Sequence, residues 1–259
     1  MQNNNNNNNN NTYSIILPTL NEVGHIKNLI EDIYKIFFNK ELKFEIIVVD
    51  DGSNDGTIEL INELKNSINN LNLIVRSNYK NSLVNSLNAG IDTSKYNNII
   101  WLDADYSHPP KYMNEIIKKN DENKYDLIFF SRFLVESKRY YHDPKYEQKP
   151  IDTLSIYLNK MCNFFLFNDL YDYSSGYISV KKDFLQKNRL KGYYGDYFIR
   201  LLVDAKNDKL KIIELPFVEL DRRSGISKTT GNKFDLMIKC FFYLFSIFLN
   251  FFRKFKVKK

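Results

Sequence analysis

The residues with the most chemical promise are paired aspartates. Asp103-Ala104-Asp105 sets two carboxylates one residue apart, and on an extended turn the two side chains share one side while the middle one turns away. Carboxylates that converge in a cleft repel unless a proton or a cation neutralises them. A divalent ion such as Mg²⁺ or Mn²⁺, held by one or two carboxylates and completed by diphosphate oxygens, meets that need. Lone triplets of this kind are usually solvated turns. This one follows the apolar run NIIWL and precedes Ser107-His108-Pro109-Pro110, which favours the functional reading. A second pair, Asp50-Asp51, ends the run FEIIVV, where a carboxylate can accept from a base edge or a ribose hydroxyl. The competing reading is a turn and helix cap built from Asp51-Gly52-Ser53 and Asp55-Gly56-Thr57. We assign the ligand role to Asp50 and the capping role to Asp55. Arg132, Arg222 and Lys228 fall in loops near expected strand ends, where cations would clamp a diphosphate leaving group and an acceptor phosphate. Arg139, Lys145 and Lys149 are read as ordinary surface cations.

Composition narrows the alternatives. Two cysteines, Cys162 and Cys240, and three histidines among 259 residues exclude a disulfide framework and a cysteine or multi-histidine metal site. With 43% hydrophobic residues the chain can bury a core. The net charge of +6 suits phosphates or an anionic membrane, and equally a lysine-rich surface. No nucleic-acid partner is expected. The N-terminus carries no apolar segment of the secretory kind, which points to the cytosolic side. Residues 1–11 contain an unbroken asparagine run with nothing to bury, and read as a disordered tail.

The elements that must position these groups are visible in the hydrophobic pattern. Short apolar runs at 13–17, 44–49, 71–75, 98–102, 127–130 and 210–215 read as buried strands, and helical periodicity occupies 23–38, 58–64, 81–91, 112–117 and 154–167. This alternation predicts an α/β fold, a mostly parallel sheet with helices on both faces. Ligands bind such sheets beyond the carboxyl ends of the strands. Asn21-Glu22, Asp50-Asp51 and Asp103-Ala104-Asp105 each stand at such an end. Residues 133–150 and 221–232 read as polar loops. Residues 236–252 are apolar and rich in phenylalanine, and five cations follow. That is short of the ~20 apolar residues of a spanning helix, so in-plane anchoring on an anionic leaflet is expected ahead of a true span. The expected division is a tail at 1–11, a catalytic domain at 12–232 and a membrane-associating segment at 233–259.

Several segments together resemble the family 2 glycosyltransferases with the GT-A fold, and within it the dolichol-phosphate mannosyltransferases. They are Ile16-Leu17-Pro18-Thr19-Leu20-Asn21-Glu22, Val49-Asp50-Asp51-Gly52-Ser53-Asn54-Asp55-Gly56-Thr57 and Asp103-Ala104-Asp105-Tyr106-Ser107-His108-Pro109-Pro110, followed by Ser131-Arg132-Phe133, Asp172-Tyr173-Ser174-Ser175-Gly176-Tyr177, Glu214-Leu215-Pro216 and Asp221-Arg222-Arg223-Ser224-Gly225-Ile226-Ser227-Lys228. The resemblance implies that Pro18, Leu20, Glu22, Val48 and Asp50 line a nucleotide pocket. It implies that Asp103, Ala104 and Asp105 meet the diphosphate and a Mg²⁺ or Mn²⁺ ion, with Ser107 as a further metal ligand. Arg132, Arg222 and Lys228 would hold the sugar diphosphate or a lipid phosphate, and Asp105 and Arg132 would be catalytic.

The implied activity is inverting transfer of mannose from GDP-mannose to dolichyl phosphate. The setting would be the cytosolic face of a membrane, the endoplasmic reticulum in a eukaryote, with room for small membrane subunits as partners. Departures leave donor and acceptor open. Leu20 replaces the usual tyrosine, Ser82-Leu83-Val84 replaces a glycine-rich segment, Ile151 stands where an arginine is usual, and Phe130 replaces a glycine. Another donor such as UDP-glucose, a different polyprenyl-phosphate or glycan acceptor, and a catalytically weak scaffolding homologue are the alternatives.

Overall fold

A computed structural model of the chain describes residues 12–76, 82–134, 137, 150–220 and 233–255. The asparagine tail, most of the loop expected at 133–150 and the whole loop at 221–232 lie outside the described residues.

Seven strands form one sheet: β1 (Thr12–Thr19), β2 (Lys43–Asp50), β3 (Leu71–Val75), β4 (Asn98–Trp101), β5 (Leu127–Ser131), β6 (Ile178–Lys181) and β7 (Ile212–Pro216). Their spatial order is β3-β2-β1-β4-β6-β5-β7. All neighbours are parallel except β6, which runs antiparallel to both β4 and β5. The α/β expectation therefore holds, and six expected strands are present with ends shifted by no more than two residues. The register sets Thr19 beside Asp50 and Asp50 beside Val75, so these strand ends share one edge. Because β6 is antiparallel, it is the chain entering it, residues 173–177, that reaches this same edge.

Among the described residues there are eight α-helices: α1 (Ile26–Phe38), α2 (Thr57–Leu64), α3 (Leu83–Thr93), α4 (Met113–Asp121), α5 (Pro150–Phe165), α6 (Lys182–Lys187), α7 (Tyr197–Asn207) and α8 (Lys233–Arg253). They divide the core into two layers. Ile15, Leu17, Ile46 and Val48 face α1, α2 and α4, whereas Ile16, Val49 and Trp101 face α3, α5 and α7. This is the period-two alternation of a strand buried on both sides.

Several elements depart from the sequence expectation. The first helix starts at Ile26, not Val23. The residues before it are tied to the next connection: Asn21 N–H donates to Ser53 Oγ at 2.7 Å, Glu22 N–H to Thr57 Oγ1 at 3.0 Å and Val23 N–H to Asp55 Oδ2 at 3.2 Å. Strand β6 and helix α7 have no counterpart in the expected pattern. The tail is a helix, in keeping with its composition, but it is joined to the body. Ser246, Ile247 and Asn250 are buried, Arg253 pairs with Asp204 of α7 at 2.5 Å, and Asn207 Nδ2 donates to the Arg253 carbonyl at 3.0 Å.

Close packing of α3 on β1 supports the strand end that carries Pro18 and Leu20. A Cβ on Gly90 would lie 2.5 Å from Ile16 Cγ2. Gly90→Ala should therefore overpack this contact and cost about 1–3 kcal/mol, read as a lower midpoint in urea denaturation with an unchanged slope.

Candidate active site

The carboxyl edge of the sheet opens into a cleft of about 590 Å³. Its floor is made of strand ends: Pro18 and Thr19 at the end of β1 with Leu20 and Glu22 after it, Asp51 after β2, Asp103, Ala104, Asp105 and His108 after β4, and Arg132 after β5. Its walls come from α3 (Leu83, Ser86), α5 (Leu154, Ser155, Leu158, Asn159, Cys162), the segment before β6 (Tyr173–Gly176) and the turn into α7 (Tyr193, Tyr194, Gly195). Helix α8 closes it with Cys240 and Tyr243.

Strand alternation decides which expected residues arrive. The cleft opens on the side of α3, α5 and α7. Pro18 and Leu20 share the parity of Ile16, and Asp103 and Asp105 share that of Trp101, so each points toward this side. Val48 has the opposite parity and is fully buried beneath α1 and α2. It does not line the cleft. Asp50 shares its parity and is fully buried too. Its carboxylate accepts Gly52 N–H at 2.9 Å, Ser53 N–H at 2.7 Å and Ser53 Oγ at 2.5 Å, which commits it to the turn. The neighbouring Asp51 has the cleft parity and lines the cavity. It accepts from Arg76 Nη1 at 2.6 Å, Ser86 Oγ at 2.5 Å and Ser82 N–H at 2.8 Å. The acidic lining position after β2 is thus Asp51, not Asp50.

Asp55 does cap: it accepts Thr57 N–H at 3.1 Å and Thr57 Oγ1 at 2.5 Å. Partial burial pushes its pKa up, but these bonds and that from Val23 N–H bring the net below the ordinary carboxylate value.

The metal-candidate pair is divided in environment. The Asp103 side chain is 49% exposed, whereas Asp105 is buried and accepts Ser107 N–H at 2.9 Å through Oδ1. Both face one cavity. Ser107 is buried beside it, its carbonyl accepting Leu220 N–H at 2.9 Å, and it is not among the lining residues. No cluster of three His, Cys, Asp or Glu occurs among the described residues. The donor set nonetheless fits a hard divalent ion of the kind that takes one or two protein carboxylates and completes its shell with substrate phosphate. His108, unassigned from sequence, sits under this loop. Its Nδ1 accepts Asp103 N–H at 3.1 Å and its ring stacks on Tyr177 at 5.4 Å. That bond places the imidazole proton on Nε2, 4.0 Å from Asp103 Oδ2.

Arg132 reaches the cleft already engaged. Its guanidinium forks onto Asp172 at 2.9 and 3.0 Å and donates to Ser174 Oγ at 2.6 Å. Glu219 stands 3.7 Å from Nη1. Burial works against the Arg132 charge, but Asp172 and Glu219 more than offset it and hold its pKa above the ordinary value. For Asp172 burial likewise opposes ionisation, and the Arg132 charge prevails and lowers its pKa. Behind the pair, burial raises the Glu214 carboxyl, although that carboxylate accepts the Tyr171 and Asp172 amides, both at 2.9 Å. Arg222 and Lys228 lie outside the described residues.

Besides His108, the tyrosine wall escaped the sequence reading. Gly192-Tyr193-Tyr194-Gly195-Asp196-Tyr197, a glycine-bounded aromatic cluster, was the available signal.

Losing the Asp172 charge strips a buried guanidinium of its bidentate partner and leaves it Glu219 at 3.7 Å. Asp172→Asn should cost roughly 3–5 kcal/mol. The wild-type contribution is complete above the ordinary carboxylate pKa of ~4 and is lost as pH falls through the lowered folded value. Urea midpoints should therefore drop below pH ~4 in the wild type, and that portion of the drop should be missing in Asp172→Asn.

Comparison with known proteins agrees with this geometry. The family model described as glycosyl transferase family 2 matches residues 14–189. An uncharacterised Methanocaldococcus jannaschii protein is 26% identical over 75% of this chain and 83% of its own length. Dolichol-phosphate mannosyltransferase of Pyrococcus furiosus is 27% identical over 84% of this chain, which spans 59% of that protein. An uncharacterised glycosyltransferase of Synechocystis is 30% identical over 46% of this chain, which covers 37% of its length. Among solved structures, Mycobacterium tuberculosis glucosyl-3-phosphoglycerate synthase in complex with Mn²⁺, UDP and glucosyl-3-phosphoglycerate superposes with a TM-score of 0.66 at 16% identity, over 93% of this chain and 80% of that one. The same enzyme with Mg²⁺ and UDP also gives 0.66. At such identity the likeness speaks for the fold, and the matched family model for membership: the chain belongs to glycosyl transferase family 2.

Proposed function

We propose that this chain is an inverting, divalent-metal-dependent hexosyltransferase that moves mannose from GDP-mannose to dolichyl phosphate or a related polyprenyl phosphate at a membrane surface. The observation that carries the reading is the convergence of Asp103 and Asp105 in one cleft at the carboxyl edge of the sheet. Asp103 and Asp105 would hold a Mg²⁺ or Mn²⁺ ion, which supplies charge stabilisation to the leaving diphosphate. Pro18, Leu20, Glu22 and Asp51 flank the space left for the nucleoside. Arg132, kept rigid by Asp172, presents a fixed positive edge to phosphate oxygens. Arg222 and Lys228, which follow Leu220 in the sequence, would add cations for phosphate oxygens. A phosphate acceptor has its second pKa near ~6 and is largely ionised at neutral pH. It needs a cationic cradle and alignment more than a general base. One in-line displacement inverts the anomeric centre, so an α-linked donor yields a β-linked product.

The lipid acceptor and membrane setting draw support from the exposed apolar face of α8. On α8 the polar Ser246 and Asn250 are buried, while Met237, Phe241, Phe245, Phe248 and Phe252 are 68, 64, 45, 59 and 55% exposed. Phe164 of α5 adds a side chain 80% exposed. An apolar face of this extent marks an interaction surface, and Arg253, Lys254 and the cations after them complement an anionic leaflet. No helix of the described residues is long and apolar enough to cross a membrane, so we take α8 to lie in the plane. Because Cys240 and Tyr243 of the same helix line the cleft, the lipid surface would adjoin the acceptor end of the site.

UDP-glucose is the second donor reading, favoured by the UDP complexes of the structural neighbour. Titration calorimetry with GDP and UDP, each with and without Mn²⁺, decides between them. We expect Mn²⁺-dependent binding of GDP, lost in Asp105→Ala together with transfer to dolichyl phosphate. Metal-independent binding, or full transfer by Asp105→Ala, contradicts the proposal. Replacing Phe241, Phe245 and Phe248 by serine should weaken co-sedimentation with anionic vesicles by about tenfold or more and leave nucleotide binding intact.

A further inference from the structure

The segment carrying the metal-candidate aspartates is fastened at several points. Asp105 accepts the Ser107 amide at 2.9 Å, and the Ser107 carbonyl accepts the Leu220 amide at 2.9 Å. Between these fixed groups lies Tyr106, with φ +67°. That is the left-handed region, which a bulky L side chain disfavours and adopts only where its surroundings impose it. Two contacts impose it here. The Tyr106 ring is 9% exposed and packs in the core layer of α1 and α4. Its hydroxyl donates to Asp32 Oδ2 on α1, seventy-four residues earlier in the chain. Lys35 Nζ stands 3.7 Å from the other carboxylate oxygen, Oδ1, in an exposed pair. These residues border a groove of about 400 Å³ with Pro109, Pro110, Lys111 and Leu220, on the far side of the segment from the cleft.

We infer that Tyr106 is a positioning residue: its hydroxyl bond to Asp32 anchors the strained turn to α1 and so holds the Asp103 and Asp105 carboxylates at the separation a divalent ion requires. The inference deepens the metal-dependent reading of the cleft and rests on it for the identity of the ligand. Neither Tyr106 nor Asp32 touches the cleft, so both act through the backbone. Support of this outer kind fixes ligand geometry without donating to the metal.

The test uses the full chain with Tyr106→Phe, Asp32→Ala, Asp32→Asn, the double variant Tyr106→Phe/Asp32→Ala and, as a control, Lys35→Ala. Mn²⁺ affinity in the presence of GDP or UDP is read by electron paramagnetic resonance of the free ion, and hydrogen exchange is followed across residues 103–107 without metal. Tyr106→Phe and Asp32→Ala should each weaken Mn²⁺ binding about tenfold and speed exchange of the Ser107 amide. The double variant should be no worse than either single one. Asp32→Asn, which keeps an acceptor oxygen, should stay near wild type, as should Lys35→Ala. Wild-type affinity and exchange in Tyr106→Phe overturn the inference, as does an equal loss in Asp32→Asn and Asp32→Ala. Should the wild type bind no Mn²⁺ while exchange quickens in Tyr106→Phe, the anchor stands and the metal reading of the cleft falls.

Discussion

Mutual repulsion between carboxylates is the constraint around which this molecule is organised. Along the cleft floor stand Glu22, Asp51, Asp103, Asp105 and, at the rim, Glu219. Such a concentration of negative charge in a partly buried space is costly unless cations enter it. The protein meets part of the demand itself: Arg76 is pinned against Asp51, and Arg132 is forked onto Asp172. Arg76 is consumed in shaping the wall, whereas Arg132, held by Asp172, still lines the cleft. The remaining acidic groups are what a divalent ion escorting a nucleoside diphosphate would complement, since each partner neutralises the charge that would otherwise exclude the other.

Much of this organisation is legible in the sequence itself. Strands buried on both faces read as continuous apolar runs, which is why β1 to β5 stand out and why the α/β reading holds. Acidic residues directly after such runs are placed at the sheet edge by connectivity alone. What escapes has physical reasons. Strand β6 reads ISVK, without the continuous apolar run that makes the equally short β4 visible, and its antiparallel direction follows from pairing partners that lie far apart in the chain. The exchange of Asp50 for Asp51 is a matter of parity. Alternation says that the two point to opposite faces, but which face carries the cleft depends on where α3 packs. The serine that replaces a glycine at Ser82 finds a use as the N-cap of α3, its Oγ accepting Asn85 N–H at 3.4 Å, and its own amide completes the Asp51 network.

The last helix shows how a local pattern misleads when its partner is unknown. Its composition marks it as apolar, and a hydrophobic helix on a globular body is ordinarily packed by its hydrophobic side. Here the buried side is mixed: Ile247 lies in the core with Tyr243 and Phe251 packed against it, beside the polar Ser246 and Asn250. Asn250 Nδ2 donates to the Ser246 carbonyl at 2.8 Å, Arg253 pairs with Asp204, and Lys254 Nζ donates to the Phe165 and Leu166 carbonyls. Phe241, Phe245, Phe248 and Phe252 are exposed. The segment expected as an appendage thus contributes to the cleft through Tyr243, and on the proposed reading its exposed apolar residues would meet a lipid surface, so truncating it would disturb both.

That the cleft floor gathers a divalent ion and a nucleoside diphosphate together is tested most directly by anomalous diffraction at the manganese edge, from crystals grown with Mn²⁺ and GDP or UDP. One strong peak is predicted between the Asp103 and Asp105 side chains, with diphosphate oxygens completing its coordination. Nucleotide bound in the cleft with no peak there, or manganese held at a site remote from these two residues, would contradict it.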